Sequence, residues 1–262
     1  MGVRCGGMPS VVDQAVVLRQ WEYSETSQTV ALLCRNTGRV KGLAKGARRE
    51  RGRFSGGFEV LTRGELLAII KPTSDLATLT EWDLQEIYWS TRRDLTAHRA
   101  GMYLVDLTYH AIVDRDPHPG VFEALTGALA HLSEPTEVLR AILVFQWRLL
   151  TEIGQHPRLD SAVASSDSGS TRVYLFSPLK GVFLPEELAT DPKTPRHAAP
   201  WRVRAETVAL LQHISEKRDS PADDPNMSPT VERASRFLAE YLKYVLERDL
   251  PSRRALFDTH HT

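Results

Sequence analysis

The chain has 262 residues, of which 42% are hydrophobic and 25% charged, and 33 basic and 33 acidic side chains give a formal net charge of zero at pH 7. This composition is typical of a folded protein with one large domain or two to three small ones, and it excludes a chain that is disordered over its whole length. No apolar run reaches the roughly 18 to 20 residues of a membrane span, no signal-peptide core begins the chain, and two cysteines are too few for a disulfide framework, so we expect a cytoplasmic protein with no membrane contact.

Short strands are predicted in the first third of the chain. Residues 15–21, 29–35 and 38–44 are rich in Val and Leu, and a tight turn at 36–38 separates the second from the third. Residues 58–70 and 76–82 supply two more strands around a turn at 71–75. Five short strands predict an oligonucleotide-binding (OB) barrel over residues 1–82, and an SH3-like barrel fits the count nearly as well.

A strongly basic segment extends from Gly38 to Phe58 and contains a single acid, Glu50. Most charge runs are solvated surface, but this one lies between predicted strands and carries glycines at 42, 46, 52, 56 and 57, which would let the backbone approach a sugar-phosphate chain. An aromatic ring among the cations could stack on a base or begin the core of the next strand. The predicted nucleic-acid-binding residues are Arg39, Lys41, Lys45, Arg48, Arg49, Arg51, Arg53 and Phe54.

From Asp83 the hydrophobic period changes from two residues to between three and four, which predicts amphipathic helices. A helical domain is therefore predicted over 83–153 and 201–250, including a helix that begins at Ser228 and Pro229. Between its two parts, residues 154–200 form a small irregular insertion around a hairpin at 172–184. The predicted fold class is α+β: a five-stranded OB-type barrel followed by a mainly α-helical domain.

Two segments carry a family resemblance. The first has K-G-A-R-R at 45–49 and R-F-x-G at 53–56, and the second has G-x-x-P-x-L at 154–159 followed by F-S-P at 176–178. Together they resemble the bacterial DNA repair protein RecO family, strongly over residues 11–64 and more weakly elsewhere. The basic positions of the first motif carry over to Lys45, Arg48 and Arg49, whereas Arg51 and Arg53 are added from charge and spacing.

The resemblance implies an OB domain, a helical body and an insertion that holds zinc in many members. It also implies a recombination mediator that acts without chemistry in the bacterial cytoplasm, associated with the nucleoid during repair. Members bind single- and double-stranded DNA, anneal complementary strands, and work with RecR to help RecA displace single-strand-binding protein. The family also contacts the acidic tail of single-strand-binding protein.

The zinc ligands of those relatives have no counterpart here. The first cysteine pair falls at Ala162 and Ser165, residues 183–188 contain no cysteine, and His156 and His197 are the plausible donors that remain. We therefore predict no metal and no cofactor. The insertion is then held by packing of Tyr174, Phe176, Val182 and Phe183, or it is partly disordered around residues 161–171.

Catalytic motifs such as H-E-x-x-H, G-x-S-x-G or a phosphate-binding G-x-x-x-x-G-K-[ST] do not occur in the sequence, so a non-enzyme is expected. Two other functions remain open: an RNA-binding OB-fold protein of translation, and a scaffold that docks acidic protein tails. Near the C-terminus, Arg253 and Arg254 are interpreted as solubilising residues rather than as part of the basic surface.

Overall fold

The computed structural model describes residues 10–48, 53–54, 57–159, 173–184, 199–217 and 228–258. The chain divides into two compact units, Met1–Ser133 and Glu134–Thr262. The domains predicted from the sequence, 1–82, 83–153 with 201–250, and 154–200, group the chain differently and stay a prediction.

The first unit begins with five strands that close into a barrel. They are β1 (Ser10–Glu22), β2 (Gln28–Cys34), β3 (Gly38–Ala44), β4 (Thr62–Ile69) and β5 (Ala77–Ile87), in the order β1-β2-β3-β5-β4. Neighbouring strands are antiparallel except β3 and β5, which are parallel. This arrangement confirms the predicted OB-type barrel and the α+β class.

One part of the strand prediction was wrong, because β5 continues to Ile87, past its predicted end at Trp82. The apolar residues Leu84, Ile87 and Tyr88 have a spacing that also fits a helical face, which is why the sequence predicts a helix from Asp83. The segment forms a strand and not a helix because it continues the antiparallel ladder with β4, up to the pair Thr62 and Ile87.

Three helices complete the first unit: α1 (Ser90–Arg93), α2 (Leu95–Ala111) and α3 (Pro119–His131). Inside the barrel lie alternate residues of the strands, among them Val17, Leu32 and Trp82. Val16 and Leu33, which pair across β1 and β2, are fully buried as well. Both faces of these two strands are therefore covered, since α2 packs on β1 and β2 and α3 packs on β2.

The second unit is mainly helical and contains a three-stranded sheet. Its elements are a 3-10 turn (Pro135–Glu137), α4 (Val138–Glu152), β6 (Val173–Ser177), β7 (Val182–Leu184), β8 (Trp201–Arg204), α5 (Ala205–Lys217), α6 (Ser228–Val245) and α7 (Pro251–Phe257). The predicted hairpin is β6 and β7. The helical prediction over 201–250 was wrong at its start, because residues 201–204 pair with β6 as a third strand before α5 begins.

Aromatic packing holds this sheet to α6, as predicted for the insertion. Phe176 is fully buried, and its ring centroid lies 5.0 Å from that of Phe237 and 5.0 Å from that of Tyr241. Phe183 and Trp201 extend the same cluster. Edge-to-face pairs of this kind contribute about 0.5–1.5 kcal/mol each beyond their buried area.

Arg253 has a different role from the one assigned to it. Its side chain is 10% exposed and pairs with Asp249 at 2.8 Å and Glu240 at 2.7 Å, so it fastens α7 to α6. The hydrogen bond from Arg253 is the main cause that lowers the pKa of Asp249. Arg254 remains exposed.

Within the described ranges, no group of three or more His, Cys, Asp or Glu side chains is placed to hold a metal ion. Ala162, Ser165 and His197 lie outside those ranges. Among the described helices, none combines the length and the apolar character needed to cross a membrane.

Candidate nucleic-acid interface

The basic segment leaves the barrel at the end of β3, where it is attached to the β1–β2 turn. Ser27 accepts a hydrogen bond from the Gly46 N–H at its Oγ, at 3.2 Å, and the Arg48 N–H donates to the Thr26 carbonyl at 3.2 Å. Lys45, which follows β3 directly, is exposed. These bonds fix the part of the basic segment that directly follows β3 at one rim of the barrel.

Three cations of this segment face solvent at or near the rim. Arg48 is 40% exposed and pairs with exposed Glu22 at 2.8 Å, and Arg53 is 76% exposed with Glu81 at 3.8 Å. Within the described part of the chain Lys45 makes no ion pair. Exposed pairs contribute only about 0–1 kcal/mol, so a phosphate group can replace either carboxylate at little cost. We call Lys45, Arg48 and Arg53 the basic rim.

Arg39 and Lys41 stand in a different environment, on the outer face of β3. The Arg39 guanidinium is 14% exposed and donates to Asp114 and to the Tyr109 carbonyl, and Lys41 Nζ lies 3.2 Å from Asp114 Oδ2. Burial alone would raise the pKa of Asp114, but the hydrogen bonds and charges of Arg39 and Lys41 outweigh it and lower that pKa. Arg39 and Lys41 therefore share one acidic partner, Asp114, which lies just after the end of α2 in the chain.

The ring of Tyr109 lies at the centre of this contact, and no motif or spacing in the sequence points to it. The guanidinium carbons of Arg19 and Arg39 lie 4.2 Å and 4.7 Å from its centroid, and Lys41 Nζ lies 5.9 Å away. Arg19 also pairs with Asp106 of α2. Such cation–π contacts contribute roughly 0.5–2 kcal/mol each. We call Arg19, Arg39, Lys41, Tyr109 and Asp114 the Tyr109 clamp, because together they fasten the end of α2 to the sheet.

Phe54 packs against the barrel core, the second of the two roles considered for it. The Phe54 ring centroid lies 5.6 Å from that of Phe58. The backbone N–H of Trp82 donates to the Arg53 carbonyl at 2.9 Å, which anchors the backbone next to Phe54. Gly42 also serves packing: a Cβ there would lie 2.3 Å from Leu79 Cδ2, inside the barrel. Packing therefore accounts for Gly42, whereas the Phe54 ring is only partly buried and its predicted binding role stays a prediction.

Arg49 and Arg51 lie outside the described residues. Of the predicted site residues that are described, the structure places Lys45, Arg48 and Arg53 on accessible surface. Arg39 and Lys41 belong to the Tyr109 clamp, in which Arg39 is largely buried and Lys41 keeps 36% of its side chain exposed. The predicted binding role of all of these residues stays a prediction.

The sequence profile described as "Recombination protein O N terminal" matches residues 8–88, and "Recombination protein O C terminal" matches residues 92–254. A DNA repair protein RecO of Anaeromyxobacter sp. is 30% identical over 245 residues, which cover 92% of this chain and 93% of that protein. Proteins of the same name from Rhodopirellula baltica and Bacillus pumilus are 34% identical over 143 residues and 29% identical over 153 residues. Those matches cover 55% and 58% of this chain and span little more than half of each relative, 53% and 59% of its length.

Proposed function

Because the chain belongs to the recombination protein O family, we propose that it acts in DNA repair and recombination as a DNA-binding mediator without catalytic chemistry of its own. In this proposal it binds single- and double-stranded DNA and anneals complementary strands in the bacterial cytoplasm. With RecR it helps load RecA on strands covered by single-strand-binding protein, whose acidic tail it contacts. The observation that carries the proposal is the exposed basic rim on an OB-type barrel.

The basic rim suits annealing because it attracts phosphates without fixing bases. Repulsion between two polyanions slows strand pairing, and cations on one surface reduce that repulsion while the second strand approaches. Contacts to the sugar-phosphate backbone carry no sequence information, so any two complementary strands would be accepted. If four or five basic side chains of the segment meet phosphates, the logarithm of the single-strand affinity should fall against the logarithm of salt concentration with a slope of about −3 to −4.

The test is a triple charge reversal in the basic rim, Lys45→Glu with Arg48→Glu and Arg53→Glu. Fluorescence anisotropy would measure the affinity for a labelled single strand and for a duplex at two salt concentrations, and a strand-pairing assay would measure annealing. Removing three phosphate contacts should reduce the slope by about 2 and abolish most binding and annealing. Retained affinity in a variant that remains folded would contradict the proposal.

Arg35→Glu is the matched control. Arg35 is an exposed arginine paired with Glu123 at 2.8 Å. It follows the Cys34 end of the β2–β3 pair, whereas Lys45 follows the other end, so the two lie on the order of 20 Å apart along the strands. The Arg35→Glu variant should keep most of the wild-type affinity for DNA.

Two further probes test the alternative functions: an RNA of the same length and a synthetic acidic peptide. A preference for RNA would support a translation factor, and binding of the peptide alone would support a scaffold.

A further inference from the structure

Two aromatic side chains stand exposed at the end of β1, beside the basic rim. Trp21 is 41% exposed and Tyr23, which opens the β1–β2 turn, is 64% exposed. Single exposed hydrophobic residues are common on protein surfaces. Two large rings that are separated by a single residue and lie near exposed cations form a more specific arrangement.

The strand register places Trp21 on the outer face of the sheet. Trp21 pairs with Thr29 and Arg19 pairs with Ala31, so Arg19 and Trp21, two positions apart on β1, project from the same face of the strand. Across β2, Ala31 pairs with Lys41. Arg19, Trp21 and Lys41 all contact the ring of Tyr109, which confirms that they share this face.

The Tyr109 clamp supports the Trp21 ring in a defined position. The two ring centroids are 6.3 Å apart, with their planes at 59°. Tyr109 is itself held by the guanidinium groups of Arg19 and Arg39. The indole is therefore supported on the Tyr109 side and still keeps a substantial exposed area, which suits a side chain that receives a flat ligand.

Direct bonds connect this aromatic pair to the basic rim. Glu22, which lies between Trp21 and Tyr23, carries the carboxylate that pairs with Arg48. The Tyr23 N–H donates to the Ser27 carbonyl at 3.2 Å, and the Ser27 Oγ accepts from Gly46, which follows Lys45. The rings and the cations therefore lie around the same end of the β1–β2 hairpin, with Trp21 on the outer face of the sheet and Glu22, the next residue, facing the other way.

We propose that Trp21 and Tyr23 form a stacking platform for unpaired bases, while Lys45 and Arg48 hold the phosphates of the same strand. The inference rests on the proposed function and adds strand selectivity to it. Bases in a duplex are stacked on one another and are not available to these rings, whereas bases of a single strand are. The cations bind both forms, and the aromatic rings favour the single strand.

The experiment compares wild type with Trp21→Ala/Tyr23→Ala on three probes of equal length: a single strand, a duplex, and an abasic sugar-phosphate strand. For the single strand the variant should bind roughly 5- to 100-fold more weakly, the range seen when a stacking aromatic is replaced by alanine. Duplex and abasic affinities should stay within about twofold of wild type, and the salt slope should be unchanged because no cation is removed. The single variant Trp21→Phe, which keeps an aromatic ring at both positions, should keep most of the wild-type affinity for the single strand.

Trp89→Ala is the matched control, since Trp89 is an exposed tryptophan of the same unit that stacks on Arg93. Trp89 follows the end of β5 at which Ile87 pairs with Thr62 of β4, whereas β3 meets β5 at its other end, from Ala77 to Leu79. An equal loss on all three probes, or no loss on the single strand, would overturn the stacking platform. If the basic-rim variant still loses DNA binding in that case, the proposed function stands; if wild type binds no DNA, the proposed function itself fails.

Discussion

Arg39→Ala should destabilise the protein more than it weakens DNA binding, although Arg39 belongs to the predicted nucleic-acid-binding set. The substitution removes two charge-assisted hydrogen bonds, to Asp114 and to the Tyr109 carbonyl, and one cation–π contact. Breaking a buried ion pair costs about 3–5 kcal/mol. Because the Asp114 side chain is 39% exposed and water can solvate it after the change, we expect a smaller loss, about 2 kcal/mol.

Urea unfolding followed by circular dichroism measures this loss, and a thermal scan should show a melting temperature lower by about 5–10 °C. Arg35→Ala is the control, because the exposed pair of Arg35 with Glu123 should contribute no more than about 1 kcal/mol. Arg48→Ala should show the opposite pattern to Arg39→Ala, with nearly unchanged stability and weaker DNA binding. Arg39→Ala with wild-type stability and a larger loss of DNA affinity than Arg48→Ala would refute the separation of the two roles.

Three further predictions concern stability. Arg253→Ala should cost about 2 kcal/mol in urea unfolding, because Glu240 of α6 and Asp249 just before α7 lose a partner that they share, while water and Lys243 still compensate both carboxylates. Exposed Arg254→Ala should change stability by less than about 0.5 kcal/mol, and equal effects of the two substitutions would contradict the fastening role. The folded-state pKa of Asp114 lies below its ordinary value of 3.8. The stability that this carboxylate contributes is therefore complete above that pH and is lost as the pH falls through the folded pKa. The Asp114→Asn variant should lack this part of the acid-induced loss of stability. Gly38→Ala should lower stability by more than about 2 kcal/mol, because φ is +78° there and a Cβ would lie 2.2 Å from the Asp116 carbonyl oxygen; a stable variant would show that the turn adapts.

The barrel was predictable because its strands carry local signals. Alternating or continuous Val and Leu runs, the turn at 36–38 and the basic interruption after β3 are all readable within a few residues. The extension of β5 to Ile87 was not readable, since the same residues fit a helical face and only the ladder with β4 distinguishes the two. β8 was missed for the same reason, because its partner β6 lies about 25 or more residues earlier in the chain.

The sequence by itself determined the family, the OB-type barrel and the concentration of cations after β3, because all of these depend on residue type and near spacing. Only the tertiary structure decided which partners those cations have. Arg39 and Lys41 have the same chemistry as Arg48 and Lys45, but the end of α2 brings Tyr109 and Asp114 onto β3 from far along the chain. A charge acts through its neighbours in space, and those neighbours are set by how the helix packs on the sheet.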